Sequence, residues 1–517
     1  MFGLPVLFLL LAFDFRMPWD EPFYLYMGGN LNLSQIFDGS QGLKSLRILH
    51  ILIIHAIVSV TGVGFFALAT MMLLYLLALF AFLYVLYQIL GTLLVETRRL
   101  GFAMIVGAFT PIFLYLAFKT LPDSPALLLA AVATYGVLRS LQGRTTLWLL
   151  VVIIALTTTI LLKNIMLLLF VSCIVALVLC KRQQFPPGKL IRNAFISGIC
   201  SFAIITIALS LMGVGLESYL ETVRKSLRED EPLISIILHL ILEVGVFFLV
   251  FPLAFLSRRK DEAVFFTIWF SLATIPILLF TSSIEVRYLA SNLPALIGLI
   301  YLSIEGLAPR VATWWRRSRA LTVAGGCIAL AIIIFSNVTA LAIMEHEVRI
   351  DQFHTILKRL DRLYGQNNYV ILTPWSHTDF HYLRFIYPKR RVYNVYRGYE
   401  VEPPSPASQV LRFALEDRYY PGRVIRTPGE LVTLKAPLVY LGFEENFSVS
   451  SLRAITRMVP GINLEKHFSK MNFMNHLTLS WMWDNPKLRF FELVRHGHYV
   501  AYAVEVNSEQ GSSKVGE

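Results

Sequence analysis

FALATMMLLYLLALFAFLYVLYQILGTLL, residues 66–94, runs for 29 residues without one charged side chain. The hydrocarbon core of a bilayer is about 30 Å thick, which about 20 apolar residues cross as a helix. This segment therefore reads as a membrane span. Further apolar runs occur at 1–13, 101–118, 124–141, 146–162, 164–180, 193–213, 233–257, 264–281, 288–306 and 320–343. The first is short for a crossing, and neither a basic segment before it nor a small-residue cleavage site after it marks a signal peptide. It reads as a first helix with a clipped or misassigned start. The whole chain agrees with its runs: 56% of its 517 residues are hydrophobic and only 15% charged, with a mean hydropathy of +0.62. Soluble domains carry about 25% charged residues, so a soluble enzyme, a secreted disulfide scaffold and a disordered chain are excluded. Cys173, Cys180, Cys200 and Cys327 all lie in apolar runs with no C-x-x-C spacing and read as small hydrophobic residues. The expected fold is mainly α, a polytopic membrane protein of about eleven transmembrane helices.

The distribution of charge orients it. With the loop 14–45 outside, the loops near 96–100, 139–145, 181–192, 258–262 and 307–319 fall inside. Together they carry 15 basic residues, from Arg98 to Arg319, against the four acids Glu96, Asp261, Glu262 and Glu305. Cytoplasmic loops are the basic ones. The net charge of +12 is therefore chiefly a topology signal, and nucleic acid drops out as a partner. The assignment requires that LKSLRILHILIIHAIVSVTG (43–62) does not cross. With Lys44, Arg47, His50 and His55 among its apolar residues, it suits a helix lying in the external interface.

After residue 344 no run is long enough to span. Residues 345–517 hold 22 of the 46 basic and 18 of the 34 acidic residues, and topology places them outside. IDQFHTILKRLDRLYG (350–365) is patterned as an amphipathic helix, NYVILTP (368–374) and APLVYLGF (436–443) as buried strands. ASQVLRFALEDRYY (407–420) and SVSSLRAITRMV (448–459) read as helices, and RFFELVRHGHYVAYAVEV (489–506) as a hairpin turning at His496–His498. The expected domains are residues 1–344, a transmembrane catalytic domain with an external loop 14–65, and residues 345–517, a soluble extracytoplasmic α/β domain.

Chemistry has few places to reside. In DFRMPWDEPFYLYMGGN (14–30), Asp20 and Glu21 sit between Trp19 and the rings of Phe23, Tyr24 and Tyr26. An acid before Pro22 is a helix-start signal, and a carboxylate beside apolar rings is also a candidate general base. Asp123, in LPDSP, opens a helix as a cap or stands as a contact in the site. Lys163 ends a helix on the external side, where a long cationic side chain reaches for the interface. Arg287 and Tyr288 stand at an external helix start, where a cation opposes the helix dipole unless something anionic compensates it. Loop 214–232 reads as a solvated amphipathic helix or an acceptor-shaping flap, and Glu243 is an intramembrane carboxylate. His377 and His381 with Asp379 have metal-like spacing but no further ligands. No metal and no cofactor are expected.

In order and spacing these features resemble the integral-membrane GT-C glycosyltransferases, the superfamily of protein O-mannosyltransferases and bacterial aminoarabinose transferases. The resemblance rests on Asp20–Glu21, the interfacial helix, Pro122–Asp123–Ser124, Leu162–Lys163, Arg287-Tyr288-Leu289 to Pro294, and the soluble tail, and covers most of residues 10–310. The Lys-Pro-Pro segment frequent in that family's first loop is replaced here by GLKSLRILH. The resemblance implies an inverting transfer of a hexosyl or pentosyl group from a polyprenyl-phosphate donor to an acceptor hydroxyl on lipid, glycan or protein, at the extracytoplasmic side of the membrane (the plasma or inner membrane in a bacterium). It implies Asp20 as base, Glu21 beside it, Arg287, Tyr288, Lys163 and Lys44 as the donor-phosphate site, and Asp123 contacting acceptor or bracing loops. Such a donor has a good leaving group, so a base and phosphate-holding cations suffice. The alternatives are a secondary transporter or lipid-linked-sugar flippase, and a polymerase or ligase of lipid-linked glycans. No repeated halves, as in many transporters, and no large late external loop are present.

Overall fold

The computed structural model describes residues 16–17, 24–25, 28–29, 47–94, 97–117, 121–211, 244–280, 286–343, 348–374, 383–395, 424–425, 428–443, 488–496 and 499–506. They divide into two compact units. One is drawn from Asn32–Leu52 and Thr70–Glu345, the other from Leu11–Leu31, Ile53–Ala69 and His346–Glu517.

The first unit is helical. Its elements are α1 (Ile48–Thr61), α2 (Phe65–Leu93), α3 (Leu100–Ala108), α4 (Pro111–Ala117), α5 (Asp123–Ser140), α6 (Thr145–Lys163), α7 (Leu167–Cys180), α8 (Pro187–Leu211), α9 (Val250–Ala254), α10 (Lys260–Phe280), α11 (Leu293–Arg317) and α12 (Arg319–Ile343); α1 from Ile53 onward and α2 as far as Ala69 are counted with the second unit. Among the described residues five helical stretches are long and apolar enough to cross a membrane, or six if a bent pair is one span. That pair is α3 and α4. The run 101–118 reads as one straight helix, but Pro111 cannot continue a helix begun at Leu100, and the two pieces meet at 68°. The run 288–306 is also displaced, since α11 starts at Leu293 and continues to Arg317. The span at 1–13 lies outside the described residues, as do 212–243, with Glu243 and the loop 214–232. As described, α1 is 14 residues, or about 21 Å, and residues 43–46 of the segment read as interfacial lie outside the described residues.

Apolar side chains also cover the outside of this unit. On α8, Ile191, Phe195, Ile199, Phe202 and Ile207 are all exposed. A helix apolar all round, with so much of it uncovered, belongs in lipid. This is an integral membrane protein.

The ends of the helices can be sorted. Arg144 and Gly143 take positive φ, 47° and 147°, and turn α5 tightly into α6. Asn193 of α8 donates to Ser140 Oγ at 2.9 Å, at the C-terminal end of α5. The chain therefore reverses after Lys163, and α7 returns alongside α5 and α10. The end of the bundle holding Ser140 and Asn193 also has Lys181 beside Glu262 (3.9 Å) and Arg259 between Glu262 (3.5 Å) and Glu305 (3.2 Å). There α11 passes close to the chain between α9 and α10: a Cβ on Gly306 would stand 2.7 Å from the Ser257 backbone nitrogen. Asp123 and Lys163 lie at the other end.

The second unit is built on a mixed sheet. Its strands are β3 (Val370–Pro374), β4 (Val392–Val395), β5 (Val424–Ile425), β6 (Leu438–Phe443), β7 (Leu488–His496) and β8 (Tyr499–Val506). Their order is β5-β4-β3-β6-β8-β7, parallel from β5 to β6 and antiparallel through β8 and β7. A further two-residue pair joins β1 (Arg16–Met17) to β2 (Val348–Arg349). The apolar run of β3 is explained by burial on both faces. Ile371 packs in one core with Val439 and with Ile356, Leu357 and Leu360 of α13 (Ile350–Tyr364). Val370 and Leu372 point into the other, with Tyr440 and with Leu431 of the short α14 (Pro428–Val432). The strands and hairpin read at 368–374, 436–443 and 489–506 are present; the helices read at 407–420 and 448–459 lie outside the described residues.

One polar network ties α13 to β3. Arg390 donates to Asp361 through both terminal nitrogens, at 2.8 and 2.6 Å, and to the Tyr369 hydroxyl at 2.8 Å, which itself donates to Asp361 at 3.0 Å. Burial alone would push the Asp361 carboxyl up, but these hydrogen bonds outweigh it and the net shift is downward. A carboxylate with a depressed folded pKa stabilises above its unfolded value of about 3.9, and the contribution is lost as pH falls through the folded one. Asp361→Asn is therefore expected to cost about 1.5–3 kcal/mol at pH 7, the range for hydrogen bonds to charged groups. Hydrogen exchange across peptides 350–374 should rise accordingly, and the difference from wild type should shrink below pH 4. Equal protection in the two proteins at pH 7 would show that the network contributes nothing.

Candidate functional site

Three breaks in helix geometry meet at one end of the helical unit. The first is the start of α5. Asp123 is its first residue, but Pro122 holds the cap position and no side chain caps the helix. The capping alternative for Asp123 is thus replaced by a different contact: its carboxylate, fully buried, lies 2.7 Å from Lys163 Nζ, itself 3% exposed. Nor does Lys163 reach toward water.

The second break is at Lys163. The α6 helix runs through TTTILLK to this residue, whose φ of −163° and ψ of 102° take the backbone out of the helix. A single 3-10 turn, Asn164–Met166, then leads into α7. Ending a helix on Lys163 and starting one on Asp123 puts each charge at the pole that favours it, the cation at a C-terminus and the carboxylate at an N-terminus.

The third break is the 3-10 segment Val286–Asn292 that precedes α11. Its last residue anchors it: Asn292 is buried and donates through Nδ2 to Thr274 Oγ1 of α10 at 2.8 Å. Tyr288 projects from this segment, with the Lys163 ammonium 4.9 Å from its ring centroid. Asp123, Lys163 and Tyr288, from three separate helix ends along the chain, are one cluster. Lys163 meets a carboxylate and an aromatic face, so an arriving anion would find this cation already half compensated.

One residue of α1 belongs to the same end of the unit. His50 is fully buried, its Nδ1 2.7 Å from the hydroxyl of Tyr75 on α2. Burial first, then the charges of Arg47 and Lys163, hold its imidazole well below its ordinary pKa, so it is neutral at pH 7. Further along α1, His55 Nδ1 donates to the Gly28 carbonyl at 3.0 Å, tying the helix to the segment that follows Asp20 in sequence.

Of the residues singled out from sequence, the structure brings Asp123, Lys163 and Tyr288 together. Arg287 adjoins Tyr288 on the 3-10 segment, its side chain outside the described part. Asp20, Glu21 and Lys44 lie outside the described residues, as do His377, Asp379 and His381. Sequence reading passed over Tyr75 and the Thr274–Asn292 bond. A tyrosine and a threonine within apolar spans carry no periodic signal, and only a pairing across helices distinguishes them.

No family model matches the chain, and no curated protein matches it. Solved structures do. ArnT from Cupriavidus metallidurans bound to undecaprenyl phosphate is similar at a TM-score of 0.53 and 13% identity, with 99% of each chain covered. The same protein in the apo state gives 0.54 and 14%, again over 99% of both. Identity this low over chains matched from end to end is a likeness of fold, and at that level this chain shares the architecture of ArnT.

Proposed function

We propose that this protein is an inverting glycosyltransferase that moves a sugar from a polyprenyl-phosphate donor to an acceptor hydroxyl at the extracytoplasmic face of the membrane. The observation that carries the reading is the Asp123–Lys163–Tyr288 cluster, at the bundle end away from the basic loops, in a fold shared with an ArnT solved with undecaprenyl phosphate bound. Basic loops mark the cytoplasmic side, and this reading accordingly takes the cluster and residues 345–517 as extracytoplasmic and the bundle as one of about eleven crossings. Residues 1–344 form the catalytic domain.

In this reading Asp20 takes the proton from the attacking hydroxyl and Glu21 orients acceptor or base. The hydroxyl oxygen bonds to the anomeric carbon as the bond to the phosphate oxygen breaks, and the polyprenyl phosphate leaves with that electron pair. Arg287, Lys163 and Lys44 hold the phosphate as its charge grows, Tyr288 hydrogen-bonds it, and Asp123 keeps Lys163 in place. The sugar is a hexose or pentose, and no metal takes part.

The test is transfer by the purified full-length protein from a panel of polyprenyl-phosphate sugars, with the product's anomeric configuration determined. Turnover with one donor and inverted configuration is expected, as direct displacement by a base-activated nucleophile requires. Retention would overturn the single displacement. Failure to bind or use any polyprenyl-phosphate compound would overturn the donor class.

A further inference from the structure

His50 is an unusual residue for its place. It stands in the apolar sequence ILHILIIH and is buried beside Ile48 and Ile51, where an aliphatic side chain would pack at no polar cost. Instead its ring lies 5.7 Å from that of Tyr75, with Nδ1 and the hydroxyl in hydrogen-bond contact. Arg47 is three residues earlier on the same helix, hence on the same face. Arg47 from α1 and Lys163 from the end of α6 are both near enough for their charges to act on the imidazole. Among the described residues, the charged and titratable groups around it include Arg47 on its own helix, Lys163 from α6 and Tyr75 from α2. Asp123 contacts Lys163.

We propose that His50 is a positioning residue of the donor site: held by Tyr75, it seats α1 so that the Arg47 guanidinium converges with Lys163 on one phosphate. This deepens the transferase reading and rests on it. The choice of residue follows from the charges. A third cation between Arg47 and Lys163 would repel both, and a hydrocarbon would withdraw the bond from the buried Tyr75 hydroxyl. An imidazole kept neutral by burial and by those two cations supplies hydrogen bonding without charge. Guanidinium is the group suited to bidentate capture of a phosphate, with a compact ammonium as the second contact.

The test uses the full-length protein in nanodiscs, with undecaprenyl phosphate as the binding probe and transfer kinetics as the second readout. His50→Phe, Tyr75→Phe and Arg47→Gln should each weaken undecaprenyl-phosphate binding about tenfold, the loss of one well-placed charged contact. They should raise the donor KM in step, and kcat should fall as well but by less than about tenfold, since a phosphate contact is made in the ground state and strengthens as the leaving phosphate gains charge. His50→Asn should restore affinity to within about threefold, because its carboxamide offers both a donor and an acceptor to Tyr75. Unchanged binding in folded His50→Phe, or a fall in kcat at constant KM, would overturn the proposal. A wild-type protein that binds undecaprenyl phosphate but transfers no sugar would remove the transferase reading while leaving the role of His50 to be decided by binding. A wild-type protein that does not bind it would remove both.

Discussion

Asp20→Asn is expected to lower transfer by about 10²–10⁴-fold, the usual worth of a positioned general base, with undecaprenyl-phosphate affinity within about twofold of wild type. The substitution preserves size and hydrogen-bonding capacity while removing proton affinity. It separates the two roles that an acid before Pro22 can play. Asparagine caps helices about as well as aspartate, so a capping residue would lose little. A base would lose nearly everything, because a polyprenyl-phosphate donor already carries its leaving group and proton removal is the remaining chemical task of the protein. The loss should fall in kcat and in kcat/KM alike, the pattern of an interaction made only in the transition state. Turnover that survives in Asp20→Asn would move the base to Glu21 or Asp123 and leave Asp20 as a cap. Single-turnover measurements with bound donor separate chemistry from product release.

The lipid-crossing body was legible because its signal is one of composition and length. The run 66–94 became α2, Phe65–Leu93, and the runs 124–141, 146–162 and 264–281 became α5, α6 and α10 within a few residues. The sheet of the second unit was legible for a similar reason, since YVIL and LVYL are too apolar to be covered on one face only. What hydropathy does not carry is direction within a span. The run 101–118 is apolar throughout, and its 68° bend at Pro111 leaves the mean hydropathy unchanged. Pairing between spans was equally hidden. Asp123 read as a cap or a site contact and Lys163 as an interfacial cation because each was judged against its own helix. Their partnership depends on α5 and α6 forming a tight hairpin through Gly143 and Arg144, which brings the first residue of one to the last residue of the other. The His50–Tyr75 contact is hidden in the same way, as α1 and α2 had to be packed before either polar group had a neighbour.

The Asp123–Lys163 pair also gives the largest stability effect expected in the helical unit. Both side chains are almost fully removed from solvent, at 0% and 3% exposure, so neither charge has water to fall back on. Asp123→Ala would take the carboxylate away from a buried ammonium, and removing one member of a buried pair costs about 3–5 kcal/mol. Thermal unfolding in detergent should fall steeply for Asp123→Ala. The double variant Asp123→Leu with Lys163→Met should recover most of that loss, since apolar replacement of a whole buried pair is often neutral or better. The double variant then isolates function from folding. If Lys163 holds the donor phosphate, the refolded apolar pair should still bind undecaprenyl phosphate at least tenfold more weakly than wild type, about 1.4 kcal/mol. A double variant that is stable and binds at wild-type affinity would mean that the pair joins α5 to α6 and nothing more, and would transfer the phosphate contact to Arg287 and the cations of the α1 region. A variant that stays unstable when both charges are gone would point instead to packing around Tyr288, because no charge would remain to account for the loss.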